Sequence, residues 1–115
     1  MKYLLINGSP RKKGNTQELL SYCEKRMLED TKYTGEIINL TYLKINHCLG
    51  CYGCKGINRC IQRDDFNEVY EKLLKSRIVV LGSPVYVGMP TSLITAFVQR
   101  VTMVALVNNN PLRNK

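Results

Sequence analysis

Four of the five cysteines lie between Cys48 and Cys60, in the pattern Cys48-x2-Cys51-x2-Cys54-x5-Cys60. Two successive x2 spacings let three thiolates converge on one centre, and Cys60 can return as a fourth ligand. Such a set can hold an iron–sulfur cluster, serve as free or transiently oxidised thiols, or bind zinc, although zinc sites usually pair two separated knuckles. Lys55, Arg59 and Arg63 bring positive charge to the same stretch, which favours thiolates or offsets the charge of a ligated cluster, and which solubility explains equally well. His47, beside the first cysteine, carries no special role, and Cys23 is expected to be a small buried hydrophobe.

Two further stretches have the chemistry to bind an anion and a flat ligand. Gly8-Ser9-Pro10-Arg11, with Gly14-Asn15-Thr16 close behind, follows an apolar run and precedes a helical pattern. Backbone N–H groups, hydroxyls and a cation thus meet at a helix N-terminus, where the dipole favours a phosphate. The loop is not a Walker A motif and lacks the Gly-x-Gly-x-x-Gly spacing. An ordinary turn followed by an ordinary helix cap is the alternative. Ser83-Pro84-Val85-Tyr86-Val87-Gly88-Met89-Pro90 follows a second apolar run. Its Pro and Gly let backbone approach a flat ligand and Tyr86 and Val87 offer an apolar wall, unless Tyr86 is merely a rim aromatic.

The elements that must position these residues follow from periodicity. Lys2 to Asn7 reads as a buried strand, and Leu19, Leu20, Cys23 and Met27 mark one face of a helix capped by Asn15 or Thr16. Glu36 to Leu40 reads as a second strand. From Thr41 to Arg63 there is no sustained period, and a loop of that length is usually functional or disordered. Asp64 or Asp65 can cap a helix carrying Phe66, Val69, Tyr70, Leu73 and Leu74 on one face. Ile78 to Leu81 is continuously apolar, the pattern of a central strand covered on both faces. Pro90 suits the first turn of a third helix with Leu93, Ile94, Phe97, Val98 and Val101 on one face, stopped by Asn108-Asn109-Asn110-Pro111. The order β-α-β-(loop)-α-β-α is that of a parallel α/β sheet.

A chain of 115 residues with 44% hydrophobic content forms one domain and is not intrinsically disordered. It has no apolar run long enough for a membrane span or a signal peptide, so a cytoplasmic protein without a membrane partner is expected. The net charge is +8, with no Asp or Glu after Glu71. Nucleic acid is nevertheless an unpromising partner, because neither a recognition helix nor an aromatic stacking motif accompanies the basic residues.

Taken together, Ile6-Asn7-Gly8-Ser9-Pro10-Arg11 with Gly14-Asn15-Thr16, the four cysteines with Asp64-Asp65, and Gly82-Ser83-Pro84-Val85-Tyr86 resemble the NAD(P)H-dependent FMN reductase family, nearest its iron–sulfur flavoproteins. The resemblance runs from Lys2 to about Arg100. It implies a flavodoxin-like α/β fold, a three-layer doubly wound parallel sheet with FMN at the switch point between the first and third strands. It also implies that Ser9, Arg11, Asn15 and Thr16 hold the FMN phosphate, and that Pro84, Val85, Tyr86, Val87 and Gly88 line the isoalloxazine. The hydride and electron chemistry would belong to the flavin, with NAD(P)H as a possible donor and no catalytic side chain. Cys48, Cys51, Cys54 and Cys60 would ligate a [4Fe–4S] cluster. The first three share the spacing of bacterial ferredoxins, and Cys60 as the cluster's own fourth ligand follows the flavoprotein branch.

The chain departs from the family pattern in particular places. Val87 stands where Trp is common, and Thr95 and Gln99-Arg100 stand where Lys and Asp-Arg are frequent. The family also continues for two more strands, so residues 1–115 are expected to form a partial domain of strand order 2-1-3 with a cysteine-rich insertion at 41–63. In that order Ile78 to Leu81 lies at an edge despite its covered pattern, which calls for a homo-oligomer (dimer or tetramer), a redox partner or a complementing chain. The competing functions are a non-enzymatic electron carrier, a vestigial fragment, and a thiol or zinc module that binds a partner.

Overall fold

The computed structural model describes residues 1–11 and 13–108. The apolar run at the N-terminus becomes β1 (Lys2–Asn7), in which every residue after Lys2 is buried. There follow α1 (Asn15–Leu28), β2 (Thr34–Asn39), a single 3-10 turn (Leu40–Tyr42), α2 (Phe66–Lys75), β3 (Ile78–Gly82), β4 (Val85–Tyr86), β5 (Met89–Pro90) and α3 (Ser92–Val107). The first three strands form a parallel sheet of order β2-β1-β3, and β4 and β5 form a small antiparallel hairpin. This is the flavodoxin-like order. Register brings Asn7 opposite Asn39 on one side and Gly82 on the other, so the loops after β1 and β3 leave the sheet side by side.

Period-two alternation along β1 divides the core. Tyr3 and Leu5 face α1 and pack with Leu20, Met27 and Ile37. Leu4 and Ile6 face the opposite way, into a larger cluster with Phe66, Val69, Tyr70 and Leu73 of α2 and Ile94, Phe97, Val101 and Val104 of α3. The apolar face expected for α2 is the one it buries. Lys72 and Arg100, from the half of the chain without acidic residues, pair with Glu36 and Asp64 respectively. Among the described residues no helix is long and apolar enough to cross a membrane.

Several expectations are corrected. The covered pattern of Ile78 to Leu81 does not make β3 central: β1 is central, and β3 lies at the edge that the expected order 2-1-3 implies, with Leu81 47% exposed. A continuous apolar run reports what a strand could be covered by, and the described elements leave part of β3 open. Leu40 belongs to the 3-10 turn and β2 begins earlier, at Thr34. Gly14 occupies the N-cap of α1 without a side-chain bond, placing Asn15 and Thr16 inside the first turn. Pro90 ends the hairpin, and α3 is capped instead by Thr91, whose side chain accepts a hydrogen bond from the Ile94 N–H. Leu19 and Val98 point outward, and Cys23 is half-buried against the α1-side core. Asn108 does end α3, while the rest of the expected stop, residues 109–111, lies outside the described residues.

Candidate functional site

The first loop is built on buried polar groups. Asn7 ends β1 with its side chain 1% exposed to solvent, donating from Nδ2 to Gln17 and Asn39 and accepting at Oδ1 from the Ser9 N–H at 2.9 Å. The Ser9 hydroxyl, also buried, accepts from the Arg11 N–H at 3.2 Å, which turns the chain toward α1. Gly8 is required here, because a Cβ at that position would stand 1.9 Å from Ile94 Cγ1. Its N–H donates to the Gly82 carbonyl, and its own carbonyl accepts from the Thr91 hydroxyl at 2.6 Å. Arg11 and Asn15 are exposed and Thr16 is half-buried, so a cation and polar side chains ring the N-terminal end of α1.

The third loop meets the first through Ser83 and Thr91. The Thr91 N–H donates to Ser83 Oγ, and the same hydroxyl donates to the Pro84 carbonyl. Beyond Pro84 the chain makes the β4–β5 hairpin, turning at Val87 and Gly88 with φ of 52° and 74°. Two positive φ values suit a tight hairpin turn, yet a β-branched residue is a costly occupant of the first. Val87 is fully exposed, and Val85 and Tyr86 are exposed beside it. Thus Ser9, Arg11, Asn15 and Thr16 on one loop, and Pro84 to Gly88 on the other, stand at the C-terminal edge of adjacent strands.

The cysteine segment is folded onto α2 and α3. Asn67 on α2 grips Cys60 with both ends of its amide, donating to the Cys60 carbonyl at 2.7 Å and accepting from its N–H at 2.9 Å. Asn108 does the same from the end of α3, donating to the Cys54 carbonyl and accepting from the N–H groups of Gly56 and Asn58. Left-handed backbone at Gly50, Tyr52, Gly56 and Asn58 allows the repeated reversals. Asp64 and Asp65 are less caps than fasteners. Asp65 accepts from the Lys44 N–H at 2.7 Å and Asp64 from the Asn46 N–H at 3.0 Å, anchoring the entry to the segment.

Cys48, Cys51, Cys54 and Cys60 line one small cavity of about 20 Å3, closed by Arg100 and Met103 of α3. Burial pushes the Cys54 thiol up, a backbone hydrogen bond works against that, and the neighbouring Cys60, Cys48 and Cys51 add to the rise. Among the described residues no three His, Cys, Asp or Glu side chains are placed as a metal-holding group. The four thiols are donors of the type a cluster takes, but the cavity as it stands is too small for one, and its wall includes a buried cation. Arg100 is 1% exposed, and its Nη1 donates to Asp64 Oδ2 at 2.6 Å and to the Asn46 carbonyl at 3.1 Å. Nε and Nη2 are buried and make no hydrogen bond of ordinary geometry, although Cys60 lies close enough to act on the guanidinium. Burial works against the Arg100 charge, but Asp64 and then Cys60 hold its pKa above the ordinary value. Conversely, burial would raise the Asp64 pKa, and the Arg100 guanidinium with the N–H groups of Asn46 and Phe66 lowers it instead. Asn67 and Asn108 are the site residues that motif reading missed, and it named Asp64 and Arg100 without pairing them.

An open apolar groove of about 670 Å3 joins the two regions, running along Ile94, Val98, Thr102 and Leu106 of α3 from Pro90 to Cys48.

Comparison with known proteins places this arrangement. A model of the NADPH-dependent FMN reductase family matches residues 1–115. Two iron-sulfur flavoproteins of Archaeoglobus fulgidus are similar: one is 38% identical over 88% of this chain and 46% of its own length, the other 40% identical over 100% and 55%. An iron-sulfur flavoprotein of Clostridioides difficile is 35% identical over 86% of this chain and 45% of its own length. The chain spans about half the length of these relatives. Its fold is similar to that of an NADH:FMN oxidoreductase solved in its apo form, with a TM-score of 0.62 at 18% identity over 89% of this chain and 49% of that one. Paired loops at the β1–β3 edge, a cysteine cavity on α3 and a family match over every residue lead to one assignment: the chain belongs to the NADPH-dependent FMN reductase family, in its iron–sulfur flavoprotein branch.

Proposed function

We propose that this chain is an FMN-binding and cluster-binding redox unit that takes part in NAD(P)H-dependent or protein-linked electron transfer. The observation that carries the reading is the gathering of four cysteines around one cavity on α3, the helix whose N-cap also ties together the first and third loops. When bound, FMN supplies hydride and one-electron chemistry and a [4Fe–4S] cluster supplies one-electron storage. The residues of the chain bind, orient and shield. Ser9, Arg11, Asn15 and Thr16 offer a hydroxyl, a guanidinium and helix N-terminal groups to the FMN phosphate. Pro84, Val85, Tyr86, Val87 and Gly88 offer backbone groups and an apolar surface to the flavin ring. Cys48, Cys51, Cys54 and Cys60 supply the thiolates, and Asn67 and Asn108 fix the backbone of Cys60 and Cys54. Admission of a cluster to a cavity of about 20 Å3 requires the loop between these anchors to open outward.

The same proposal includes a second copy or a redox partner over the β3 edge, and a reducing, cytoplasmic setting that keeps the thiols available. The test is an anaerobic absorption spectrum of the purified chain, with iron, zinc and extracted FMN quantified on one sample. Flavin and iron together support the reading. A colourless protein that takes up neither on reconstitution overturns it, and zinc in their place favours the thiol or zinc module.

A further inference from the structure

Asn7 ends β1 with 1% of its surface exposed, too deep to touch a ligand, yet both hydrogens and the oxygen of its amide are engaged. The three partners come from three different elements. Oδ1 accepts from the Ser9 N–H in the first loop at 2.9 Å, and Nδ2 donates to Gln17 Oε1 in the first turn of α1 at 2.9 Å and to Asn39 Oδ1 at the end of β2 at 3.0 Å. A backbone N–H can only donate, so the Asn7 atom that faces Ser9 has to be the oxygen. Turning the amide over would set N–H against N–H there, and Gln17 and Asn39 take both hydrogens only in the orientation observed. Gln17 is itself held along α1, donating to Ser21 Oγ at 3.4 Å, and strand register fixes Asn39 directly opposite Asn7. Burying a polar amide is costly unless it is satisfied in this way, and the fold spends such a group at this one point.

We propose that Asn7, oriented by Asn39 and Gln17, is the positioning residue of the FMN phosphate loop, fixing Ser9 on one side of the site and the first turn of α1 on the other before the ligand arrives. The inference rests on the flavin reading given above. The donors present fit a phosphate: N-cap Gly14 supplies no side-chain acceptor to the first-turn N–H groups of α1, and the Ser9 hydroxyl, the Arg11 guanidinium and the Thr16 hydroxyl stand around them. These donors sit on two segments that the loop between Gly8 and Gly14 joins without regular structure. A site assembled from two segments loses affinity when they move against each other, because ordering them draws on the binding energy. Asn7 closes the loop from beneath by bonding to both segments at once, and Asn39 holds Asn7 in the orientation that lets it do so.

The test titrates the 115-residue chain with FMN and with riboflavin, which shares the ring and lacks the phosphate, by flavin fluorescence. The variants are N7A, Q17M and N39L, the last two keeping side-chain bulk while removing one acceptor each. Wild type is expected to bind FMN more tightly than riboflavin. Q17M and N39L should each weaken FMN about fivefold, the effect of one lost hydrogen bond of ordinary strength, and N7A at least about tenfold, with riboflavin affinity held within about twofold. A merely structural role would lower the urea midpoint and weaken both flavins alike. An FMN-to-riboflavin affinity ratio that stays within about twofold of wild type in Q17M and N39L overturns the proposal, as does a wild type that binds the two flavins equally. A second measurement needs no variant: in wild-type protein without flavin, the Ser9 amide should exchange its hydrogen at least about 100-fold more slowly than an unstructured peptide. Exchange at the unstructured rate overturns the proposal even if N7A does not fold. A wild type that binds neither flavin overturns the flavin reading and this inference with it, an outcome separate from FMN binding that ignores Asn7, Gln17 and Asn39.

Discussion

Truncation of Asp64 offers a sharp test of the energetics around the cysteine segment. The Asp64 and Arg100 side chains are 2% and 1% exposed and meet at 2.6 Å, and Asp64 also accepts from the N–H groups of Asn46 and Phe66. D64A therefore strands a buried cation without a carboxylate, left with the Asn46 carbonyl as its hydrogen-bond acceptor of ordinary geometry and the Phe66 ring beneath it. Breaking a buried pair in this way costs about 3–5 kcal/mol, a large share of the roughly 5–15 kcal/mol that holds a domain folded. With a urea m value of about 2 kcal/mol/M, the midpoint should fall by about 2 M. R26A is the comparison, because Arg26 and Glu29 are 65% and 59% exposed at 3.8 Å. An exposed pair of this kind is worth at most about 1 kcal/mol. Replacing both buried partners, as in D64L/R100M, should recover most of the loss, since no charge is then left unpaired. The pair also sets an acid dependence. The folded-state Asp64 pKa lies below the ordinary 3.8, so the stabilisation is present above that pH and is lost as pH falls through the lower folded value. D64N should flatten that part of the acid limb. A D64A midpoint indistinguishable from that of R26A would refute the reasoning.

Other consequences can be checked independently. N108A removes three hydrogen bonds to the cysteine segment, worth together about 2 kcal/mol for partly exposed groups, so amide exchange at Gly56 and Asn58 should accelerate roughly 30-fold while β1 amides hold their rates. G8A forces a methyl group against Ile94 and should cost about 1–3 kcal/mol in urea unfolding, with weaker FMN binding by fluorescence titration. V87N relieves a β-branched residue of its positive φ and should stabilise the chain by about 1 kcal/mol, read as a rise in Tm of roughly 4 °C or more. Burial, and after it Glu24, pushes the Tyr3 phenol up to about 12, so its ionisation by ultraviolet absorbance should lag the exposed tyrosines, and the stability it contributes, intact below pH 10, should be lost as pH rises toward that value.

The parts of the fold that could be read from residue order are those in which a local pattern and the tertiary contact agree. The α2 stripe of Phe66, Val69, Tyr70 and Leu73 is one, because its period and its burial coincide. The stripe assigned to α1 failed at Leu19, which is 65% exposed. There the sheet face is narrow and one helix covers it, so fewer positions are buried than the periodicity offers. Motif reading singled out the cysteines because their short repeated spacing is a local pattern. It passed over Asn67 and Asn108, whose work is to close backbone hydrogen bonds across seven and fifty-four positions in the chain. Arg100 was visible only as part of a departure from a family pattern. Nothing in the local sequence says that this arginine, unlike Arg59 or Arg63, is buried, because its burial depends on Asp64 and Phe66 arriving from another element.

Helix α3 explains why the two halves of the site belong together. Its N-cap residue Thr91 donates its hydroxyl to the Gly8 carbonyl and its backbone N–H to Ser83 Oγ, binding the first and third loops to one helix end. Nine residues further along, Arg100 reaches the cysteine cavity, and Asn108 clamps the cysteine segment at the other end. At 1.5 Å per residue, Arg100 lies about 13 Å along the axis from the cap. A hydrogen-bonded helix holds that separation far better than a loop, and the packing of Phe97, Val101 and Val104 against β1 and α2 prevents it from sliding. The irregular cysteine segment can therefore vary in shape while its anchor points stay at a set distance from the loops assigned to the flavin. Under the proposed function, redox exchange between flavin and cysteine centre would depend on that distance, and the spacing is a property of one well-packed helix rather than of the cysteine segment.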